Sequence, residues 1–216
     1  MKSVLIIGMG RMGRHLANKM QQLGNDVMIV DSNAELINGL ADRFTDSDIC
    51  DCTNEAVIRS LGVDNFDICF VTIGEDFQAS LVVTSLLKKY GARMIVAKTN
   101  QDIQADLLRT IGADEVVYPE RETAEKLAVR YNANNVFDFV PLTNEYSMYE
   151  IPILPTWVGQ TLIELNIRRK YQINIIAVKN DEGLNPNAGA DYRFRAGDHI
   201  FVIGKSDVVF KLAAKA

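Results

Sequence analysis

Val4-Leu5-Ile6-Ile7-Gly8-Met9-Gly10-Arg11-Met12-Gly13, residues 4–13, is the stretch that decides the fold. Four apolar residues in a row, three of them β-branched, read as a buried strand, and the Gly-x-Gly-x-x-Gly that follows opens a helix. In that helix Met12, Leu16, Met20 and Leu23 recur at three- and four-residue intervals and form one apolar face, until Gly24 ends it. A second apolar run at 27–30 closes on Asp31, the acidic residue that a dinucleotide-type fold places at the end of its second strand. The first glycine permits a tight turn, the second lets a phosphate approach the backbone, and the third lets helix and strand pack closely. Free N–H groups at the helix start favour an anion. The expected fold is α/β, a Rossmann-like doubly wound parallel sheet built to receive phosphate.

The same rhythm continues for about 130 residues. Strands are expected at 4–7, 27–30, 48–50, 68–72, 94–97 and 115–118, with helices at 34–41, 54–61, 76–90, 101–111 and 121–131. Asn132-Ala133-Asn134-Asn135 then favours a turn, and the pattern beyond it changes. Strand-like runs at 136–142, 149–153, 173–179 and 199–204 surround a short helical piece at 162–167 and a turn at 181–183, and a helix starts at 207. Two domains are expected: 1–132, the nucleotide-binding unit, and 136–216, a small α+β unit.

Composition narrows the function. Of 216 residues, 48% are hydrophobic and 24% charged, which suits a packed globular chain, and no apolar run approaches the length of a membrane span. The opening strand runs into a glycine loop without a small-residue cleavage site, so no signal peptide is expected and cytoplasm is the expected compartment. A net charge of −5 would repel a phosphate backbone, which argues against nucleic acid as a partner. Cys50, Cys52 and Cys69 lack paired metal-ligand spacing and read as reduced thiols near strand ends.

Several residues carry the candidate chemistry. Asp31 would accept hydrogen bonds from both ribose hydroxyls, and its charge would repel a 2′-phosphate, which argues against NADP; the alternative is a turn residue capping the next helix. Arg11 places a positive charge where a terminal phosphate would extend, favouring ATP over NAD, or is a solvated side chain of the first helical turn. Glu120, after Pro119, is a candidate ligand for a divalent cation on the phosphates, or a carboxylate suited to a helix start. Redox catalysis lacks a positioned acid: His15 lies in a helix, His199 in a late strand, and there is no Tyr-x-x-x-Lys dyad. The chain is therefore not expected to be an enzyme, although a small NAD-dependent oxidoreductase and an NAD(H)-binding redox sensor stay open as alternatives.

Taken together, Gly8 to Gly13, Val30-Asp31, Asp51-Cys52-Thr53, Val71-Thr72-Ile73-Gly74, Ala97-Lys98, Gly112-Ala113-Asp114, Tyr118-Pro119-Glu120 and Leu165-Asn166-Ile167-Arg168 resemble the Ktr/Trk potassium-uptake regulatory subunits along essentially the whole chain. The resemblance implies an N-terminal RCK domain (TrkA-N) followed by a C-terminal RCK subdomain (TrkA-C). It also implies a ligand, ATP or ADP with Mg²⁺, or NAD or NADH in some members. Gly8, Gly10, Arg11, Met12 and Gly13 would line the phosphates, Asp31 the ribose, and Asp51, Cys52 and Thr53 the adenine. Thr72, Ile73 and Gly74 would border the nucleotide, Lys98 would reach it, and Glu120 would approach it or its Mg²⁺ across a dimer. As alternatives, Thr53 caps a helix, Asp51 ends a strand and Lys98 points to solvent.

The resemblance further implies dimers assembled into a ring, an octamer, on the inner face of the membrane beside a potassium-translocating subunit. Leu162, Ile163, Arg168 and Asn174 match positions that bind cyclic di-AMP in some members. The sequence departs from the commoner pattern at Met12, where an aromatic is frequent, and at Cys52, where a small residue is frequent, leaving the adenine preference open.

Overall fold

The computed structural model describes residues 1–132, 135–143 and 145–216. Two compact units separate within them, Met1–Glu122 and Thr123–Ala216. Ala133 and Asn134 of the expected junction lie outside the described residues.

In the first unit β1 (Ser3–Ile7), β2 (Asp26–Asp31), β3 (Asp46–Ile49), β4 (Ile68–Val71), β5 (Ile95–Lys98) and β6 (Glu115–Val117) form one sheet in the order β3-β2-β1-β4-β5-β6. Every pairing is parallel. Strand order reverses between β1 and β4, and open sheets of this kind bind ligands beyond the carboxyl ends of the strands at that point. Connecting them are α1 (Arg11–Gln22), α2 (Ala34–Asn38), α3 (Glu55–Ser60), α4 (Phe77–Lys89) and α5 (Asp102–Ile111), with α6 (Pro119–Asn132) following β6.

Alternation along β1 explains why helices cover both faces. Val4 and Ile6 point into a core shared with Ala17 of α1 and Ile37 of α2, whereas Leu5 and Ile7 point into a second core with Ile58 of α3, Val83 of α4 and Leu108 of α5. Each face is thus apolar, as a buried parallel sheet requires.

Some boundaries differ from the sequence expectation. The third strand begins at Asp46, two residues before the expected 48–50, because Asp46, Ser47 and Asp48 pair with β2 as a polar sheet edge that carries no hydrophobic signal. The expected helix at 34–41 stops at Asn38 before Gly39, and a separate 3-10 turn spans Ala41–Arg43. On α1, Gly13 and Ala17 are the buried residues, while Leu23 lies past the last turn as the C-cap and is 64% exposed.

The second unit is an antiparallel sheet of β7 (Asp138–Pro141), β8 (Tyr146–Pro152), β9 (Asn174–Asn180), β10 (Gly183–Asn185) and β11 (His199–Lys205), in the order β10-β9-β11-β8-β7. Its core gathers Tyr149, Trp157, Val178, Phe194 and Val202 with Val209 and Leu212 of α9 (Ser206–Ala213). The expected turn at 181–183 leads into β10, which the sequence reading leaves out. The expected helical piece divides into α7 (Leu162–Leu165) and α8 (Ile167–Tyr171), because Asn166 between them adopts a left-handed conformation at φ 45°, which asparagine tolerates better than most residues. Among the described residues no helix is long and apolar enough to cross a membrane.

Candidate functional site

The glycine loop follows β1 directly. Gly8 has φ +101°, and a Cβ there would lie 3.1 Å from the Ile73 backbone nitrogen, so the tight turn and the approach to the β4 connection both require glycine. At Gly13 an added Cβ would overlap the Gly8 carbonyl oxygen and lie 2.8 Å from the Thr72 Oγ1. Helix α1 can therefore seat on β1 only without a side chain at that position. Gly10 is different: nothing lies within 4 Å of its Cβ position, so the space over it is open to a ligand. Gly10 is also the N-cap of α1, with no side-chain cap and no acidic residue in the first turn. The helix-start N–H groups there lack a side-chain acceptor, which is the arrangement an anion fills. Met12 is half-buried on the first turn and Arg11 is exposed beside it.

Thr72 is buried and donates its hydroxyl to the Gly8 carbonyl at 2.6 Å, with the Ile7 carbonyl 3.1 Å away. It braces the loop from just past the end of β4, and Ile73 and Gly74 follow it in the chain. Asp31 acts from the other side: Oδ2 accepts from the Met9 N–H at 2.6 Å and Oδ1 from the Asn33 N–H at 2.8 Å. Asn33, rather than Asp31, caps α2, and a carboxylate keeps further lone pairs for a ligand's hydroxyls.

Beyond β3, Asp51 Oδ1 accepts from both the Thr53 hydroxyl at 2.7 Å and the Thr53 N–H at 2.9 Å. Those two bonds hold the exposed Asp51 carboxyl below its ordinary range. Asn54, not Thr53, caps α3. Between them Cys52 is buried, and burial pushes its thiol pKa strongly up, so it serves as an apolar wall rather than a nucleophile. All three cysteines are free, and among the described residues no three His, Cys, Asp or Glu side chains gather as a metal site.

Lys98 ends β5 and donates to Glu120 Oε1 at 2.7 Å. The ammonium lies 3.3 Å from where a Cβ of Gly74 would stand, so the absence of a side chain at 74 makes its place. The Lys98 hydrogen bond, outweighing burial and helped by the Arg11 charge, holds the Glu120 carboxyl below its ordinary range. The structure thus brings Gly74, Lys98 and Glu120 together and places Arg11 within electrostatic reach of them. The Lys98–Glu120 hydrogen bond itself carries no local sequence signal, since 22 positions separate the two.

In the second unit a depression of about 390 Å³ is lined by Leu162, Ile163, Arg168 and Asn174, with Asn166 and Ile173. Arg168 Nη2 and Nε donate to Asn174 Oδ1 at 2.6 and 3.2 Å. A polar cluster that sequence reasoning missed crosses the sheet: Glu150 of β8 accepts from Lys179 of β9 at 2.8 Å and meets His199 Nδ1 of β11 at 2.9 Å.

Fold and site together define a Rossmann-type ligand-binding protein with a small α+β unit in the same chain. It matches the TrkA-N domain over residues 4–119 and the TrkA-C domain over residues 147–215. The chain is 36% identical over 203 residues to Ktr system potassium uptake protein C of Bacillus subtilis (strain 168), covering 94% of this chain and 92% of that one. With Ktr system potassium uptake protein A of the same organism it is 31% identical over 208 residues, covering 96% and 94%. The chain belongs to this family of TrkA-N/TrkA-C potassium uptake proteins. In fold it is similar to the GsuK channel bound to NAD (TM-score 0.68, 20% identity, covering 99% of this chain and 38% of that one). It is likewise similar to the GsuK RCK domain (TM-score 0.66, 17% identity, covering 100% and 48%). The chain spans less than half of either solved chain.

Proposed function

We propose that this protein is a nucleotide-responsive regulatory subunit of a potassium uptake system, cytoplasmic and held at the inner face of the membrane by a potassium-translocating partner. The observation that carries the nucleotide part is the open space over Gly10 at the uncapped start of α1, flanked by the Asp31 carboxylate. The partner is proposed from the family, whose members named above are potassium uptake proteins.

Residues 1–132 form the nucleotide domain in this reading and 136–216 the C-terminal one. Gly8, Gly10, Arg11, Met12 and Gly13 line the phosphates, and Asp31 takes the ribose. Asp51, Cys52 and Thr53 border the adenine, Thr72, Ile73, Gly74 and Lys98 close the far side, and Glu120 approaches the nucleotide or its Mg²⁺ across a dimer. ATP and ADP are the proposed ligands, with Mg²⁺ near Glu120, and NAD or NADH is the second reading. Dimers assembled as a ring, an octamer, would carry the signal: differential affinity of two ring states for the two ligands shifts their populations. Leu162, Ile163, Arg168 and Asn174 share one depression, which supports cyclic di-AMP as a second effector. No catalytic activity is proposed.

The test is calorimetric titration of the nucleotide-stripped protein with ATP plus Mg²⁺, ADP, NAD and NADH. Tight ATP and ADP binding with weak NAD(H) binding is expected. Selective NAD(H) binding, or steady hydride transfer from NADH, would replace this reading with the redox-sensor or oxidoreductase alternative.

A further inference from the structure

Three lysines surround a second depression in the C-terminal unit, of about 240 Å³, which shares no lining residue with the one that holds Arg168 and Asn174. Lys170 comes from the end of α8, Lys211 from α9 and Lys215 from just past it, while Tyr171, Val208 and Leu212 supply an apolar floor. Leu212 is buried and Tyr171 and Val208 are half-buried, so the floor is recessed below exposed lysine side chains. Among the described residues none of the three lysines has an ion-pair partner, whereas Lys88, Lys89, Lys98, Lys179 and Lys205 all do. Lys211 and Lys215 also stand four positions apart, the spacing that sets like charges against each other over one helical turn. A helix end favours a nearby cation, but that does not account for three of them converging on an apolar floor. In a chain of net charge −5, this local excess of positive charge complements an acidic partner.

We propose that the depression is a docking site for an acidic protein segment carrying an apolar side chain, which seats on Tyr171, Val208 and Leu212 while flanking carboxylates pair with the lysines. A free phosphate would leave the floor unused. An anionic bilayer is entered by apolar side chains that protrude, and this floor is recessed. The site is independent of the nucleotide reading above.

Trp157 is the sole tryptophan, and its ring lies 5.4 Å from that of Tyr171, so its emission reports on the floor. The full chain is titrated with a capped Glu-Glu-Leu-Glu-Glu peptide, with the same peptide carrying Gly for Leu, with pyrophosphate and with phosphatidylglycerol vesicles. The Leu peptide is expected to shift Trp157 emission saturably, to bind more tightly than the Gly peptide, and to weaken as salt is raised. Combining Lys170→Gln, Lys211→Gln and Lys215→Gln should weaken it about tenfold, the scale of three exposed ion pairs, whereas Lys19→Gln in the first unit should leave it unchanged. No saturable response to the Leu peptide, equal binding of the two peptides, or equal affinity in wild type and the triple variant overturns the inference. Tighter binding of pyrophosphate or of vesicles than of the Leu peptide overturns it as well, in favour of a phosphate or a membrane site.

Discussion

Asp31 Oδ2 accepts a hydrogen bond from the Met9 backbone N–H at 2.6 Å, tying the end of β2 to the middle of the glycine loop. The side chain therefore shapes the loop, and on the proposed function it also offers acceptors to a ligand. Asp31→Ala is expected to weaken every ribose-bearing ligand and also to cost about 1 kcal/mol of stability, because the Met9 and Asn33 N–H groups lose their acceptor. Titration of ATP, ADP and NAD alongside chemical denaturation checks both. A stability loss with all affinities intact would leave Asp31 a purely structural residue.

Gly10 and Gly13 should respond oppositely to the same methyl group. Gly13→Ala drives a Cβ into the Gly8 carbonyl and the Thr72 hydroxyl, and is expected to destabilise the fold by about 1–3 kcal/mol. Gly10→Ala enters open space at φ −63°, so stability should change by less than about 1 kcal/mol while phosphate-bearing ligands bind less well. Denaturation midpoints and nucleotide titration of the two variants decide it. Undiminished binding by Gly10→Ala would show that no phosphate approaches there.

Arg11 is exposed next to the loop and its charge reaches Glu120. Arg11→Ala is therefore expected to weaken ATP more than ADP or NAD, since ATP has the longest reach of negative charge. Equal losses for the three ligands would remove the terminal-phosphate contact.

Glu150 links stability to pH. Burial pushes its carboxyl pKa up, but the hydrogen bonds from Lys179 and His199 outweigh it, and the net shift is downward from the ordinary 4.5. A depressed pKa in the folded state contributes stability above the unfolded value, and that contribution is lost as pH falls through the folded value. Wild type should thus lose stability as pH drops below about 4.5, and Glu150→Gln should flatten that limb while being less stable at pH 7. Urea midpoints across this range measure it. Parallel curves for the two proteins would mean that Glu150 is not the group responsible.

Much of the candidate nucleotide site was legible because its grammar is local. The glycines at 8, 10 and 13 act through the turn and the helix start that they themselves build, and Asp31 follows from the length of one strand-helix-strand unit. The alternation of Val4 and Ile6 against Leu5 and Ile7 likewise needs only the two-residue period of a strand. What escaped was of two kinds. Asp46–Ile49 is a strand because β2 offers it hydrogen bonds, not because its residues favour one, and Asn166 divides a helix by a single dihedral choice that periodicity does not register.

By itself, then, the sequence determined the parallel α/β architecture, the phosphate-shaped loop and the presence of a second, smaller unit, since these rest on backbone geometry and the pattern of apolar residues. Only the tertiary structure decided that Lys98 meets Glu120, 22 positions away, and that Glu150 gathers Lys179 and His199 from two other strands. Those contacts depend on sheet register and on which strands become neighbours. Register and strand order are set by the burial of the whole core, so no short stretch of sequence contains them.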